Sequence, residues 1–137
     1  MGFDINIFAL IAAGVTSVVI GAVWYTPAVF GTAWMSLAGL TAERAETAKK
    51  RMPYMAVGGF LASVILAWVL AQFVSALNII AFGDALIIGF WMWFGFMVPV
   101  LIGPVLWEQK SIKYFAINAG YWLVTILAIA TIVTLWS

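Results

Sequence analysis

Apolar residues in this chain gather into four long runs, residues 5–25, 54–77, 85–106 and 112–136, separated by shorter polar stretches. Each run is close to the ~20 residues that a helix needs to cross about 30 Å of hydrocarbon. A helix satisfies its own backbone hydrogen bonds, as a segment inside lipid must. The pattern therefore predicts four transmembrane helices.

The longest connection, residues 26–53, has an order of its own. Phe30, Trp34 and Leu37 recur at i, i+4 and i+7, so residues 28–38 are expected to form a short amphipathic helix lying in the membrane interface. Gly39 is placed to end it. Thr41 is placed to cap a second, polar helix with Glu43 in its first turn and Lys49, Lys50 and Arg51 in its last. Glu46 and Lys50 stand at i, i+4 as an ion pair. Pro53 then falls in the first turn of the second span, where a missing N–H costs nothing.

Composition agrees with this pattern. Hydrophobic residues make up 66% of the chain and charged ones 8%, against roughly 45–50% and 25% in soluble domains. Residues 1–137 are accordingly read as one domain: an all-α membrane protein with four transmembrane helices in a compact bundle and a short interfacial helix between spans one and two. The first run is read as a retained span. Asp4 stands where a leader would be basic, and Trp24-Tyr25-Thr26-Pro27 replaces a small-residue cleavage site.

The charges settle orientation. All six cations lie in the first and third connections or just inside the following span (Arg44, Lys49, Lys50, Arg51, Lys110, Lys113), and none in residues 78–83. The positive-inside rule turns those two connections to the cytoplasm of an inner membrane and leaves both termini outside. Lys49, Lys50 and Arg51 are expected to touch anionic lipid headgroups. A formal charge of +1 gives no footprint for nucleic acid.

Small residues mark the faces on which helices meet, because close backbone approach drives their association in lipid. Ala9, Ala13, Ser17 and Gly21 form one row. Gly59, Ser63, Ala67, Ala71 and Ser75 form a second, and Ala116, Gly120 and Ala128 a third. The first two rows are expected to pack together. A parallel repeat of two hairpins is faintly suggested by Tyr54-Met55-Ala56 and Tyr114-Phe115-Ala116.

Candidate chemistry is sparse. The chain has no cysteine and no histidine, which removes thiolate chemistry, the commonest metal ligand and the commonest neutral-pH base. Asp84 is placed to cap the third span, and Glu108 to pair with Lys110 at its other end. No nucleophile–base set, metal cluster or cofactor motif is legible, so no enzyme and no cofactor are expected. Gln72 and Asn118 are the costly polar groups at depth, and interhelical hydrogen bonding is the expected use of both. Pro99, with Gly95 and Gly103, is expected to kink the third span and free backbone carbonyls. With the deep rings Trp91, Trp93 and Trp122, these residues form the candidate ligand or pore lining: Gln72, Trp91, Trp93, Pro99, Asn118 and Trp122.

The stretch Trp24-Tyr25-Thr26-Pro27, followed by Phe30-Gly31 and Trp34-Met35, resembles the hallmark of the bacterial membrane family catalogued as domain of unknown function seventeen sixty-one. Val105-Leu106-Trp107-Glu108 and Ile117-Asn118-Ala119-Gly120-Tyr121-Trp122-Leu123 are similar to its other recurrent pieces. The resemblance implies a four-span inner-membrane protein and supplies no activity. It directs attention to an interfacial elbow made by Trp24, Tyr25, Pro27, Phe30, Gly31 and Trp34. The expected function is a small self-associating scaffold or accessory subunit, a homo-oligomer among membrane lipids. The alternative is a channel or transporter for a neutral or apolar solute.

Overall fold

The computed structural model describes residues 5–136; Asp4 lies outside them. The described chain is helical: α1 (Ile7–Trp24), α2 (Gly31–Ala38), α3 (Ala42–Ala76), α4 (Phe82–Met92), a π-helical turn (Trp93–Met97), α5 (Val98–Leu101), α6 (Gly103–Trp107) and α7 (Ile112–Leu135). Four stretches are long and apolar enough to cross a membrane: Ile7–Trp24, Ala42–Ala76, Phe82–Trp107 and Ile112–Leu135.

Local signals account for most boundaries. Asn6 caps α1 by accepting the Phe8 N–H, Thr41 caps α3 through Arg44, and Ser111 caps α7 through Tyr114. Gly39 ends α2 in the left-handed region, φ 76°.

Two expectations fail at Pro53 and Asp84. Residues 42–52 were expected to form a helix separate from the second span, yet α3 runs unbroken for 35 residues with Pro53 inside it. At 1.5 Å per residue that is about 52 Å, well beyond a hydrocarbon layer. Proline removes a bond to the Lys49 carbonyl, but the residues around it are exposed, where water can replace the lost donor. Asp84 is not a cap: α4 starts at Phe82 after Ala81, and Asp84 sits in the first turn, where its charge complements the helix dipole. The Glu46 pair also shifts by one residue, to Lys49 at 3.8 Å between exposed side chains.

The third span is broken twice. Pro99 has no N–H and its ring crowds the carbonyl one turn back. The chain responds with the π-turn, in which the Val98 N–H donates to Trp93. Pro104 repeats the effect, and Ile102 separates α5 from α6.

α7 is the central element and packs against α1, α3 and α4, while α1 also packs along α3. Ala13, Ala67, Ala85, Ile129 and Ala130 are fully buried between them. Small side chains let the backbones close up, which is how helices associate in lipid. The α1 row holds as expected at Ala9, Ala13 and Ser17. The α3 row is Ser63, Ala67 and Ala71; Gly59 has open space beside it and Ser75 is exposed. The α7 row holds only at Gly120, which meets the Trp24 ring; Ala116 is exposed, and the buried face carries Ile126, Ile129, Ala130 and Val133. The two proposed hairpins are also unlike, one holding the unbroken α3 and the other the broken third span.

Asn6 Nδ2 donates to the Trp136 carbonyl at 3.4 Å, so the start of α1 and the end of α7 lie together. Asn78 and Ile79, in the turn after α3, share a cleft with both. The Lys110 ammonium donates to the Ala38 carbonyl at 2.7 Å and thereby joins the first and third connections at the opposite end. The molecule thus has a basic end and a terminal end.

Candidate functional site

The elbow between α1 and α2 is closed by its own backbone. The Phe30 N–H donates to the Trp24 carbonyl at 3.1 Å and the Gly31 N–H to Thr26 at 2.7 Å. A side chain at Gly31 would collide with the Tyr25 carbonyl and lie 2.6 Å from the Thr26 carbonyl carbon. The close approach that requires this glycine is thus made by backbone, not by the Phe30 and Trp34 rings. Pro27 is exposed in the turn, and it disfavours helix at Thr26 just before it.

Aromatic rings fill the inside of the corner. Trp24 lies on Phe30 with centroids 4.8 Å apart, Tyr25 meets Trp34 edge-on at 5.5 Å, and Trp34 stacks on Tyr114 at 6.5 Å. The Trp34 side of α2, expected to rest on the membrane surface, is therefore directed at Tyr25 and at Tyr114 of α7. Lys110 sits 5.6 Å from the centre of the Tyr114 ring while it holds the Ala38 carbonyl. A cation there satisfies a carbonyl at the end of α2 and complements the negative end of its dipole. The expected Glu108 partner is replaced by this pair of contacts.

A set of neutral hydrogen bonds runs inward from the corner. Trp24 Nε1 donates to the Ile117 carbonyl at 2.9 Å, and the Tyr25 hydroxyl to Asn118 Oδ1 at 2.7 Å. Gly120 makes room for the indole, since a methyl there would stand 3.0 Å from it. Deeper, Ser63 Oγ donates to Ser17 Oγ at 2.6 Å, and Ser17 Oγ lies 3.0 Å from the Tyr121 hydroxyl. That hydroxyl donates back to the Ser17 carbonyl at 3.0 Å. The network ties α1, α3 and α7 together without a charge. It contains no carboxylate, imidazole or thiol, and no three His, Cys, Asp or Glu side chains cluster among the described residues. Its chemistry is that of helix–helix adhesion.

The six candidate lining residues are not brought together. Asn118 belongs to the elbow network, as its expected hydrogen bond required. Trp93 Nε1 donates to the Ala119 carbonyl at 2.8 Å. Trp91 points outward at 61% exposure, and Pro99 is exposed too. Trp122 lines an apolar groove with Phe96 and Met97. Gln72 lies toward the other end, and its Nε2 is buried without a partner, contrary to the expected interhelical bond. Sequence reasoning missed Tyr114, Lys110 and the Ser17–Ser63–Tyr121 contact. A hydroxyl set in each of two small-residue rows was the available signal for the last.

Two hollows remain. At the terminal end a cleft of about 370 Å³ is lined by Asn6, Gln72, Ser75, Asn78 and Trp136 among others. On the side, a groove of about 330 Å³ between α3 and the π-turn is lined by Leu66, Phe73, Phe96 and Met97. It continues as about 290 Å³ past Val100 and Leu101 to Trp122.

The family model described as "Protein of unknown function (DUF1761)" matches residues 8–134. No curated protein and no solved structure matches the chain.

Proposed function

Because this chain belongs to the DUF1761 family of unknown function, we propose its role from the molecule itself: a non-enzymatic, self-associating scaffold or accessory subunit of the bacterial inner membrane. One observation carries the reading. The third span is both the most interrupted and the least covered. Only 17% of its most apolar stretch is buried, against 28–33% in the other three. Pro99 and Pro104 withhold N–H groups that carbonyls one turn back would accept. Irregular backbone at membrane depth is tolerated where protein or a water-filled cavity covers it. A second copy lying against Phe94, Gly95 and Phe96 supplies that cover.

The positive-inside rule supports placing the basic end in the cytoplasm and both termini outside. In that orientation Lys49, Lys50 and Arg51, just before Pro53 on α3, meet anionic headgroups. The projecting first turns of α3 then stand in the cytoplasm, where an accessory subunit would meet its partners.

Light scattering or mass photometry of the protein in nanodiscs tests the proposal. Dimers or larger assemblies are expected, and a Gly95→Trp variant should shift the population toward monomer. Gly95 is exposed and nothing lies within 4 Å of a Cβ placed there, so a side chain can begin at this position without meeting the rest of the chain. A strictly monomeric wild type rejects self-association. Passage of a neutral solute is the second reading, favoured by the open cleft beside Gln72. It requires liposome flux that falls in Gln72→Leu.

A further inference from the structure

We propose that the cleft at the terminal end binds a small uncharged molecule, one that offers an acceptor oxygen on an apolar frame to the side-chain amide of Gln72. This goes beyond self-association and does not depend on it. The cleft, at about 370 Å³, lies within the 300–1,000 Å³ range of small-molecule sites, which are mostly apolar with a few placed polar groups. Its walls follow that plan, with Ile79, Val133 and Trp136 around Asn6, Gln72, Ser75 and the exposed Asn78.

The polar groups are not equivalent. Asn6 is already engaged at both ends of its amide: Oδ1 accepts the Phe8 N–H at 2.9 Å and Nδ2 donates to Trp136. Gln72 Nε2 is shut off from solvent and donates to nothing. An amide donor left so is unfavourable, and a ligand oxygen removes the deficit. The last side-chain torsion of glutamine is broad and roughly two-fold, so the amide can turn into the cleft that Gln72 lines. Among the described residues, no carboxylate, ammonium or guanidinium side chain lines the cleft. Amide and hydroxyl groups on apolar walls match a neutral guest, since a charge among these side chains would lie uncompensated. The acceptor is a ketone, ester or ether oxygen. Two sources offer it: a free solute, or the glycerol-ester region of a lipid.

The chain holds two glutamines, Gln72 and Gln109, at opposite ends. Selective ¹⁵N-glutamine labelling in nanodiscs therefore gives one reporter and one internal control. The probe is 2-heptanone, with 2-methylheptane as its hydrocarbon counterpart. The ketone is expected to shift the Gln72 side-chain amide signals saturably while Gln109 stays put, and the hydrocarbon to shift neither. Ser75→Trp, which fills the cleft from an exposed position, should weaken the ketone's apparent affinity about tenfold or more, equivalent to about 1.4 kcal/mol. Comparing ester-linked with ether-linked lipid discs before any probe is added identifies the source. A Gln72 shift between them assigns the site to lipid, and identical spectra assign it to a free solute. Gln72 signals unmoved by the ketone overturn the proposal and leave the cleft to water. Equal shifts by both probes, or a response that survives Ser75→Trp, overturn it as well.

Discussion

At the basic end Trp24, Tyr25 and Tyr121 each find a partner on a neighbouring helix while the Trp34 indole N–H in the elbow does not, whereas toward the terminal end Gln72 finds none. The difference lies in what stands opposite each group. Gly120 clears space for the Trp24 indole, and Gly21 lets the Tyr121 ring approach to within 3.4 Å of where a side chain would begin. The cleft that Gln72 lines is walled largely by apolar residues such as Val74, Ile79 and Val133; its other polar members are Ser75, Asn78 and Asn6, and Asn6 is already committed. For Trp24 and Tyr121, small residues on the facing helix admit the ring to its partner. The elbow holds helices together, and the cleft leaves one buried donor unmet.

The largest effect that breaks this contrast is at Gly31. Gly31→Ala puts a methyl into fixed backbone and is expected to cost on the order of 3 kcal/mol or more, seen as lost monodispersity and a lower Tm. Gly59→Ala is its control. Nothing lies within 4 Å there, so it should raise Tm through helix propensity worth up to about 1 kcal/mol.

Asn118→Leu comes next. It strands the Tyr25 hydroxyl and is expected to destabilise by about 1–3 kcal/mol, measured by reversible unfolding in mixed micelles. Tyr25→Phe combined with Asn118→Leu should recover part of that loss, because both partners are then gone. Lys110→Met removes the cation at the end of α2 and should cost about 0.3–1 kcal/mol, read as faster amide exchange at Leu37, Ala38 and Gly39. Gln72→Leu has the smallest effect and the opposite sign. It deletes an unmet donor and is expected to leave Tm unchanged or slightly raised. If it destabilised as much as Asn118→Leu, the two ends would not differ as described.

Much of this was legible in the chain. Hydrophobic run lengths give the four spans, Gly39 and Thr41 mark the break between α2 and α3, and the small rows give the α1–α3 contact. Clustered cations anticipate a molecule with one basic end. Pro53 misleads because proline is judged by its helix-interior penalty, which shrinks where exposed residues surround it and Ala, Glu, Lys and Arg favour helix on its N-terminal side. Asn118 could be read as needing a partner, but its tyrosine lies 93 residues away. Periodicity reports which face is buried, not which helix lies opposite. The same gap hid the Ser17–Tyr121 contact, and it made Gln72 and Trp122 look like parts of one site. Pro99 announced the break in the third span. Its form as a π-turn followed from how Val98 re-pairs with Trp93, which no composition signal carries.

That broken span is where self-association is most exposed to test. The chain has no cysteine, so a single cysteine at position 95 is the only thiol present. Oxidative crosslinking of Gly95→Cys in native membranes should give a disulfide-linked dimer. Leu61→Cys, on the exposed side of α3, should stay monomeric under the same conditions. Crosslinking at Leu61→Cys with none at Gly95→Cys would show that the third span faces lipid alone, and the proposed scaffold would lose its contact surface.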